Sequence, residues 1–133
     1  MNEIYILVSS ENDKVFLNKG LDFLRNHHIE PHIVVSSIHR TPGESTEKIE
    51  CYVAKNHGVI IAGATTATGL PGIVAGYTQH TKTIVLGVRF SKKTKGDYNE
   101  DGSFCVSAMP EGIPLAFCGY NDVGFFHACV MAK

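Results

Sequence analysis

The chain has 133 residues, of which 44% are hydrophobic and 19% are charged, a balance that is ordinary for one globular domain with a single core. Its formal net charge of −1 provides no bulk attraction to nucleic acid or to an acidic membrane surface, so we predict neither as a partner. The apolar run Ile4–Val8 is too short for a signal peptide or a membrane span. We therefore expect a single cytoplasmic domain over residues 1–133.

Five short apolar runs predict β-strands. They cover Ile4–Val8 and residues 33–35 with their flanks, 59–62, 83–88 and 113–118. Because these runs are continuous rather than alternating, they indicate strands that are covered on both faces, as in parallel sheets.

The segments between the runs have helical patterns. Leu17, Leu21 and Leu24 recur at helical spacing, although Gly20 interrupts the stripe. A second helix is expected over about 42–56, opened by Thr41 in a T-x-x-E capping box, and two more over 70–79 and 122–132. The β-α-β-α alternation predicts a three-layer α/β/α flavodoxin-like sandwich with a five-stranded parallel sheet. Residues 89–102 form one long polar loop, which we expect to act as a flexible lid.

Ligands of such sheets bind beyond the carboxyl ends of the strands. Two of the expected strands are followed there by hydroxyl side chains and an arginine: Ser9 and Ser10 after the first, and Ser37, Arg40 and Thr41 after the second. Helix N-termini of this kind favour an anion, so the pattern predicts a phosphate site. The alternative is that these hydroxyls only cap helices.

His39 is the candidate acid/base residue. It lies in a strand-end loop beside Arg40, and imidazole titrates close to neutral pH, which suits proton transfer. A structural role for the histidine is the alternative. The chain lacks the glycine-rich motifs that bind dinucleotides or ATP.

No histidine, cysteine or carboxylate set has metal-ligand spacing, and we predict no metal and no cofactor. The four cysteines lack CxxC pairing and are expected to be buried free thiols: Cys51, Cys105, Cys118 and Cys129.

Four segments together resemble the PurE family. The segment V-V-S-S-I-H-R-T-P at 34–42 is similar to the family motif S-A-H-R-T-P, and V-S-S-E-N-D at 8–13 is similar to M-G-S-x-S-D. V-I-I-A-G-A with L-P-G, at 59–64 and 70–72, resembles the third strand and its loop, and M-P-E-G-I-P at 109–114 resembles M-P-x-G-x-P. The resemblance implies a single PurE-like domain over residues 1–133.

The resemblance also implies an enzyme of de novo purine biosynthesis, the N5-carboxyaminoimidazole ribonucleotide mutase, which moves a carboxylate from N5 to ring carbon C4. This enzyme uses no metal, ATP or biotin. His39 would be the general acid/base. Animal-type relatives that use CO2 directly carry lysine in place of Arg40, so the bacterial type is closer. The implied substrate-binding residues are Ser10, Asp13, Ser37 and Arg40 at the ribose 5-phosphate end, with Ala64, Thr65 and Leu70 around the third loop.

The sequence departs from the family mainly where the base would bind. Thr65 and Thr66 replace two glycines, Gly69 replaces a second active-site histidine, and Ser9 replaces a glycine. Family members usually continue into a further C-terminal helix. These departures leave two alternatives open: a carboxylase or decarboxylase of another phosphorylated heterocycle, and a non-catalytic nucleotide-binding protein. A homo-oligomer is expected from the apolar segment 123–131, and an octamer from the resemblance.

Overall fold

The computed structural model describes residues 3–55, 58–65, 69–91 and 108–133, and these ranges contain one parallel β-sheet. Its strands are β1 (Ile4–Val8), β2 (His32–Val35), β3 (Val59–Ala64), β4 (Ile84–Arg89) and β5 (Ala116–Tyr120). They lie in the order β2-β1-β3-β4-β5, and every neighbouring pair is parallel. This order is that of flavodoxin-like sheets, so the predicted five-stranded parallel sheet is confirmed.

Helices cover both faces of the sheet. Within the described ranges they are α1 (Asn18–Asn26), α2 (Pro42–Lys55), α3 (Leu70–Thr78) and α4 (Asn121–Ala132), with a 3-10 helix over Glu11–Phe16. Helices α1 and α4 pack together against one face, and α2 and α3 against the other. The three-layer architecture predicted from the sequence is therefore confirmed.

Burial explains the continuous apolar runs of the central strands. All five residues of β1 are buried, as are five of the six in β3 and in β4. The edge strands β2 and β5 are only partly buried. Successive side chains of a strand point to opposite faces of the sheet, so all of them must be apolar where helices cover both faces.

Several element boundaries differ from the sequence expectation, and three of these differences have a clear location or cause. The first helical segment is split, because the turn after β1 closes as a 3-10 helix before α1 begins. Strand β5 begins at Ala116 rather than at 113, since Pro114 cannot donate a ladder hydrogen bond. Strand β4 continues to Arg89, which the sequence assigned to the polar loop.

Gly20 allows close packing of α1 on α4. A Cβ at this position would lie 2.5 Å from the Phe125 ring and 2.7 Å from the Cys129 sulfur. The glycine that weakened the helical pattern is therefore where the two helices approach each other.

Two expectations about exposure can be compared with the structure. Cys129 is buried and Cys118 half-buried, but Cys51 is exposed on α2, so the prediction of a buried thiol is wrong there. Cys105 lies outside the described residues. No helix among the described residues is long and apolar enough to cross a membrane.

Candidate functional site

The carboxyl ends of β1, β2 and β3 meet at one edge of the sheet. Val8 pairs with Val35 on one side and with Gly63 on the other, and the Ser36 N–H donates to the Val8 carbonyl at 2.9 Å. The chain order reverses between β1 and β3, which is where ligands of such sheets bind. A cavity of about 700 Å³ lies at this edge.

The cavity gathers six of the eight residues that the sequence predicts for the site. They are Ser10, Asp13, Ser37, His39, Arg40 and Thr65. The other two are buried beside it: Ala64 is at the end of β3, and Leu70 packs in the core cluster that includes Val74. Residues 66–68 lie outside the described residues, so the base-binding role of this loop stays a prediction.

Ser10 and Asp13 organise the turn after β1. The Ser10 hydroxyl accepts the Asn12 N–H at 3.2 Å, and the Asp13 carboxylate accepts the Ser10 N–H at 3.1 Å, which is a reciprocal capping box. The Ser10 O–H hydrogen is still able to donate to a ligand oxygen. Capping and ligand binding are therefore compatible here.

Ser37 organises the turn after β2. Its hydroxyl accepts the Arg40 N–H at 3.2 Å, and its carbonyl accepts hydrogen bonds from the Thr41 and Ser45 hydroxyls at 3.1 and 3.0 Å. Ser45 is buried, and its hydroxyl oxygen also lies 2.5 Å from that of Ser36. These bonds fix the backbone that carries His39 and Arg40.

The His39 and Arg40 side chains are exposed on the cavity wall. Within the residues that the structure describes, neither side chain has a hydrogen-bond or ion-pair partner. The Arg40 guanidinium can therefore offer a bidentate contact to a phosphate. The His39 ring can donate or accept a proton at the same cavity.

Two acidic side chains on the wall are each paired with a lysine. Glu11 lies 3.0 Å from the Lys14 ammonium, and Glu44 lies 2.6 Å from that of Lys48. The hydrogen bond that the Lys48 ammonium donates to Glu44 raises the pKa of Lys48. Both pairs are largely exposed, so they reduce the repulsion of an anion without removing it.

Asp13 and Thr65 join the loop after β3 to the turn after β1. The Thr65 hydroxyl donates to Asp13 Oδ1, while Oδ2 accepts from the Ser9 hydroxyl at 3.1 Å and from the Ser10 N–H. Asp13 is only 1% exposed. Its carboxylate thus binds three donors of the protein itself.

The sequence did not identify Arg89 and Phe90, which do not line the cavity but contact elements that do. Arg89 is buried, and its Nη1 donates to the carbonyls of Ala64, Thr65 and Phe90. The sequence could have indicated this role, because a charged residue at the end of a buried strand is almost never fully buried without partners. The rest of the expected lid, from residue 92 to 102, lies outside the described residues.

Gly69 is the N-cap of α3, with a φ of 69°. Among the residues described, no cluster of three or more histidine, cysteine or acidic side chains could hold a metal ion. The absence of a metal and of a cofactor stays a prediction.

Comparison with known proteins relates the whole described fold to one family. A family model described as AIR carboxylase matches residues 3–133. An N5-carboxyaminoimidazole ribonucleotide mutase of Thermotoga maritima is 31% identical over 122 residues, which cover 92% of this chain and 68% of the relative. Enzymes of the same name from Haemophilus influenzae and Escherichia coli K12 are each 28% identical, covering 98% and 97% of this chain and 76% and 73% of the relatives.

Proposed function

The chain belongs to the AIR carboxylase family, and on that premise we propose that it is an N5-carboxyaminoimidazole ribonucleotide mutase. The observation that carries the proposal is the cavity at the β1–β3 edge, where His39 and Arg40 lie beside the hydroxyls of Ser10 and Ser37. A permanent cation, two hydroxyls and a titratable imidazole are the groups needed to hold a phosphorylated substrate and move a proton on it.

The phosphate end of the substrate would be held by Arg40 with the Ser10 and Ser37 hydroxyls. The turns that carry these groups are fixed by their own hydrogen bonds, so little ordering is needed when the ligand binds. The N-terminus of α2 adds backbone dipoles that favour an anion.

His39 would supply the proton chemistry. Protonation of N5 by His39 breaks the bond from N5 to the carboxylate carbon and releases CO2 beside the ring. Carbon C4 then forms a bond to the same CO2, and the C4 proton returns to His39. One proton is given and one is taken back, so the net reaction is an isomerisation without a co-reactant. Trapping of CO2 requires a site that excludes water.

A carbon-13 experiment tests this function. The purified chain is given N5-carboxyaminoimidazole ribonucleotide labelled at the carboxylate, in unlabelled bicarbonate, and the product is followed by NMR. We expect the label to appear at C4 and to be retained, since the CO2 does not leave the site. Washing-out of the label would indicate use of free CO2, and no conversion at all would reject the mutase.

A second candidate, a diverged carboxylase or decarboxylase of another phosphorylated heterocycle, is favoured by one observation. Thr65 begins the loop where the base would bind, and its hydroxyl donates a hydrogen bond to the Asp13 carboxylate. Turnover of a pyridine ribonucleotide carboxylate without conversion of the imidazole substrate would support it. Binding of both ribonucleotides without turnover would support a non-catalytic nucleotide-binding protein.

We also propose that the chain forms a homo-oligomer, an octamer by its resemblance to the family. Large apolar side chains are exposed on β5 and on α4, among them Phe117, Val123, Val130 and Met131. Burial of such a surface between copies is favourable. Light scattering of the native chain and of Met131→Glu tests this, with a smaller assembly expected for the variant. A cytoplasmic location stays a prediction.

A further inference from the structure

The end of β4 contacts Thr65 and the 3-10 helix that contains Asp13, the two partners of one hydrogen bond. Arg89, the last residue of the strand, is 1% exposed and donates from one guanidinium nitrogen to the Ala64 carbonyl at 2.9 Å. The same nitrogen donates to the Thr65 carbonyl. The backbone of Thr65 is therefore held in place by a buried cation.

Phe90, the residue after β4, contacts the 3-10 helix that contains Asp13. Its buried ring stacks on Phe16, with centroids 5.1 Å apart and planes 7° from parallel. Phe16 is the last residue of the 3-10 helix that contains Asp13. The ring also covers Gly63 so closely that a Cβ there would lie 2.2 Å from it. Two successive residues thus fix the loop after β3 and the turn after β1 relative to each other.

Most hydrogen-bond acceptor positions of the Asp13 carboxylate are occupied by donors of the protein itself. An ionised carboxylate has about four acceptor positions, and three are occupied by the hydroxyls of Ser9 and Thr65 and by the Ser10 N–H. Since the side chain is also buried and Oδ2 already accepts two donors, a hydroxyl of a ligand would compete with Thr65 for Oδ1.

We propose that Thr65 is a specificity-determining residue and Arg89 its positioning residue: Arg89 keeps the Thr65 hydroxyl on Asp13, which withholds the carboxylate from hydroxyl groups of the ligand. The class of ligand, a sugar phosphate, rests on the proposed function. The site then recognises its ligand mainly through the phosphate, held by Arg40, Ser10 and Ser37, and only weakly through the sugar hydroxyls.

The test compares the affinity of the full chain for ribose 5-phosphate with its affinity for inorganic phosphate, measured by calorimetry or NMR titration. Thr65→Val keeps the shape of the side chain and removes its donor, which opens Asp13 Oδ1 to the sugar. We expect the ratio of the two affinities to rise about tenfold, as one hydrogen bond to a charged group becomes available. Thr65→Ser, the matched control, keeps the hydroxyl and should keep the wild-type ratio.

Arg89→Met tests the positioning role. It should raise the same ratio, and the double variant with Thr65→Val should add nothing further, because both changes act on one hydrogen bond. Circular dichroism shows whether Arg89→Met folds. If it does not, the comparison of Thr65→Val with Thr65→Ser is the test of the inference.

A fall of the ratio in Thr65→Val would overturn the inference, because it would mean that Thr65 contacts the sugar directly. An unchanged ratio, or no binding of either ligand by any variant, would overturn it as well. None of these measurements uses turnover. A chain that binds as expected but fails the carbon-13 experiment would therefore refute the mutase and leave the inference intact.

Discussion

Lys48 lies one helical turn after Glu44 on α2, with its ammonium 2.6 Å from the carboxylate on the wall of the cavity. Because this pair is exposed, the lysine only partly cancels the repulsion that Glu44 exerts on an anion. Glu44→Gln should therefore raise the affinity for inorganic phosphate about two- to fivefold at low salt, and less at high salt. The matched control is Glu47→Gln, on the same helix and absent from the cavity lining. A titration in which both variants gain equally would show a general charge effect instead.

Arg40 should dominate the binding of phosphate. Its guanidinium is exposed on the cavity wall and offers paired donors. Arg40→Gln is expected to weaken phosphate binding about tenfold to a hundredfold, the worth of a charge-assisted hydrogen bond. Arg25→Gln is the control, since Arg25 is paired with Glu30 at 3.1 Å and does not line the cavity. Equal losses in the two variants would contradict a local role for Arg40.

His39 should be needed for turnover and not for binding. His39→Asn removes the titratable ring and keeps a polar side chain, so we expect the conversion rate to fall at least about a hundredfold, the usual contribution of a general acid/base. The affinity for ribose 5-phosphate should change by less than about threefold, because the phosphate contacts remain. Stopped-flow turnover and calorimetry measure the two quantities, with His80→Asn, exposed beyond α3, as control. Loss of binding that matches the loss of rate would argue against this role.

Gly20 and Gly76 form a matched pair of helical glycines. Gly20→Ala places a Cβ 2.5 Å from the Phe125 ring, and overpacking of this kind costs about 1–3 kcal/mol in the free energy of unfolding. Gly76→Ala meets nothing within 4 Å and should stabilise α3 by about 0.5–1 kcal/mol through better helix propensity. Urea unfolding of both variants measures these changes. If both were stabilised, the close approach of α1 and α4 would not hold in solution.

The stability of the fold should decrease at alkaline pH. Burial, with a smaller effect of Cys118, raises the pKa of Cys129 from 9.0 to about 12. Above pH 9 the unfolded thiol loses its proton while the folded one keeps it, so the free energy of unfolding falls progressively between pH 9 and 12.

Cys129→Ala is the control for this pH dependence. The variant is less stable at neutral pH because it creates a cavity. Its decline above pH 9 should be shallower than that of the parent, because only Cys118, whose pKa burial also raises, still contributes, and a further decline begins near pH 10. There Tyr5, whose pKa is raised to about 12 mainly by its hydrogen bond to Glu3, makes the same kind of contribution. An unfolding free energy that declines identically in the parent and the variant would exclude a role for Cys129.

The sheet could be predicted from the sequence because its central strands are covered on both faces. The run Ile4–Val8 is apolar at every position, and it is buried at every position. Local residue types therefore carry the information for these strands. Strand ends were less predictable, since Arg89 extends β4 by pairing with Ala64 of β3, whose carbonyl also accepts a hydrogen bond from the buried guanidinium.

The site was predictable in its residues and less so in its contacts. Helix-terminus chemistry indicates Ser10, Ser37 and Arg40, and the structure brings them to one cavity. The bond from Thr65 to Asp13 joins positions that are 52 residues apart. No periodicity or local motif encodes such a pairing, because it depends on where Arg89 and Phe90 place the two loops.

The stacking of Phe90 on Phe16 has a consequence for synthesis of the chain. Among the described residues, all those that line the cavity lie between positions 9 and 65, so these walls leave the ribosome first. Arg89 and Phe90, which contact these walls, come from the end of β4. Parallel strands pair only after the intervening crossover is complete. A nascent chain that stops short of Phe90 therefore carries the cavity-lining groups between positions 9 and 65, yet it lacks the ring that stacks on Phe16 beside them.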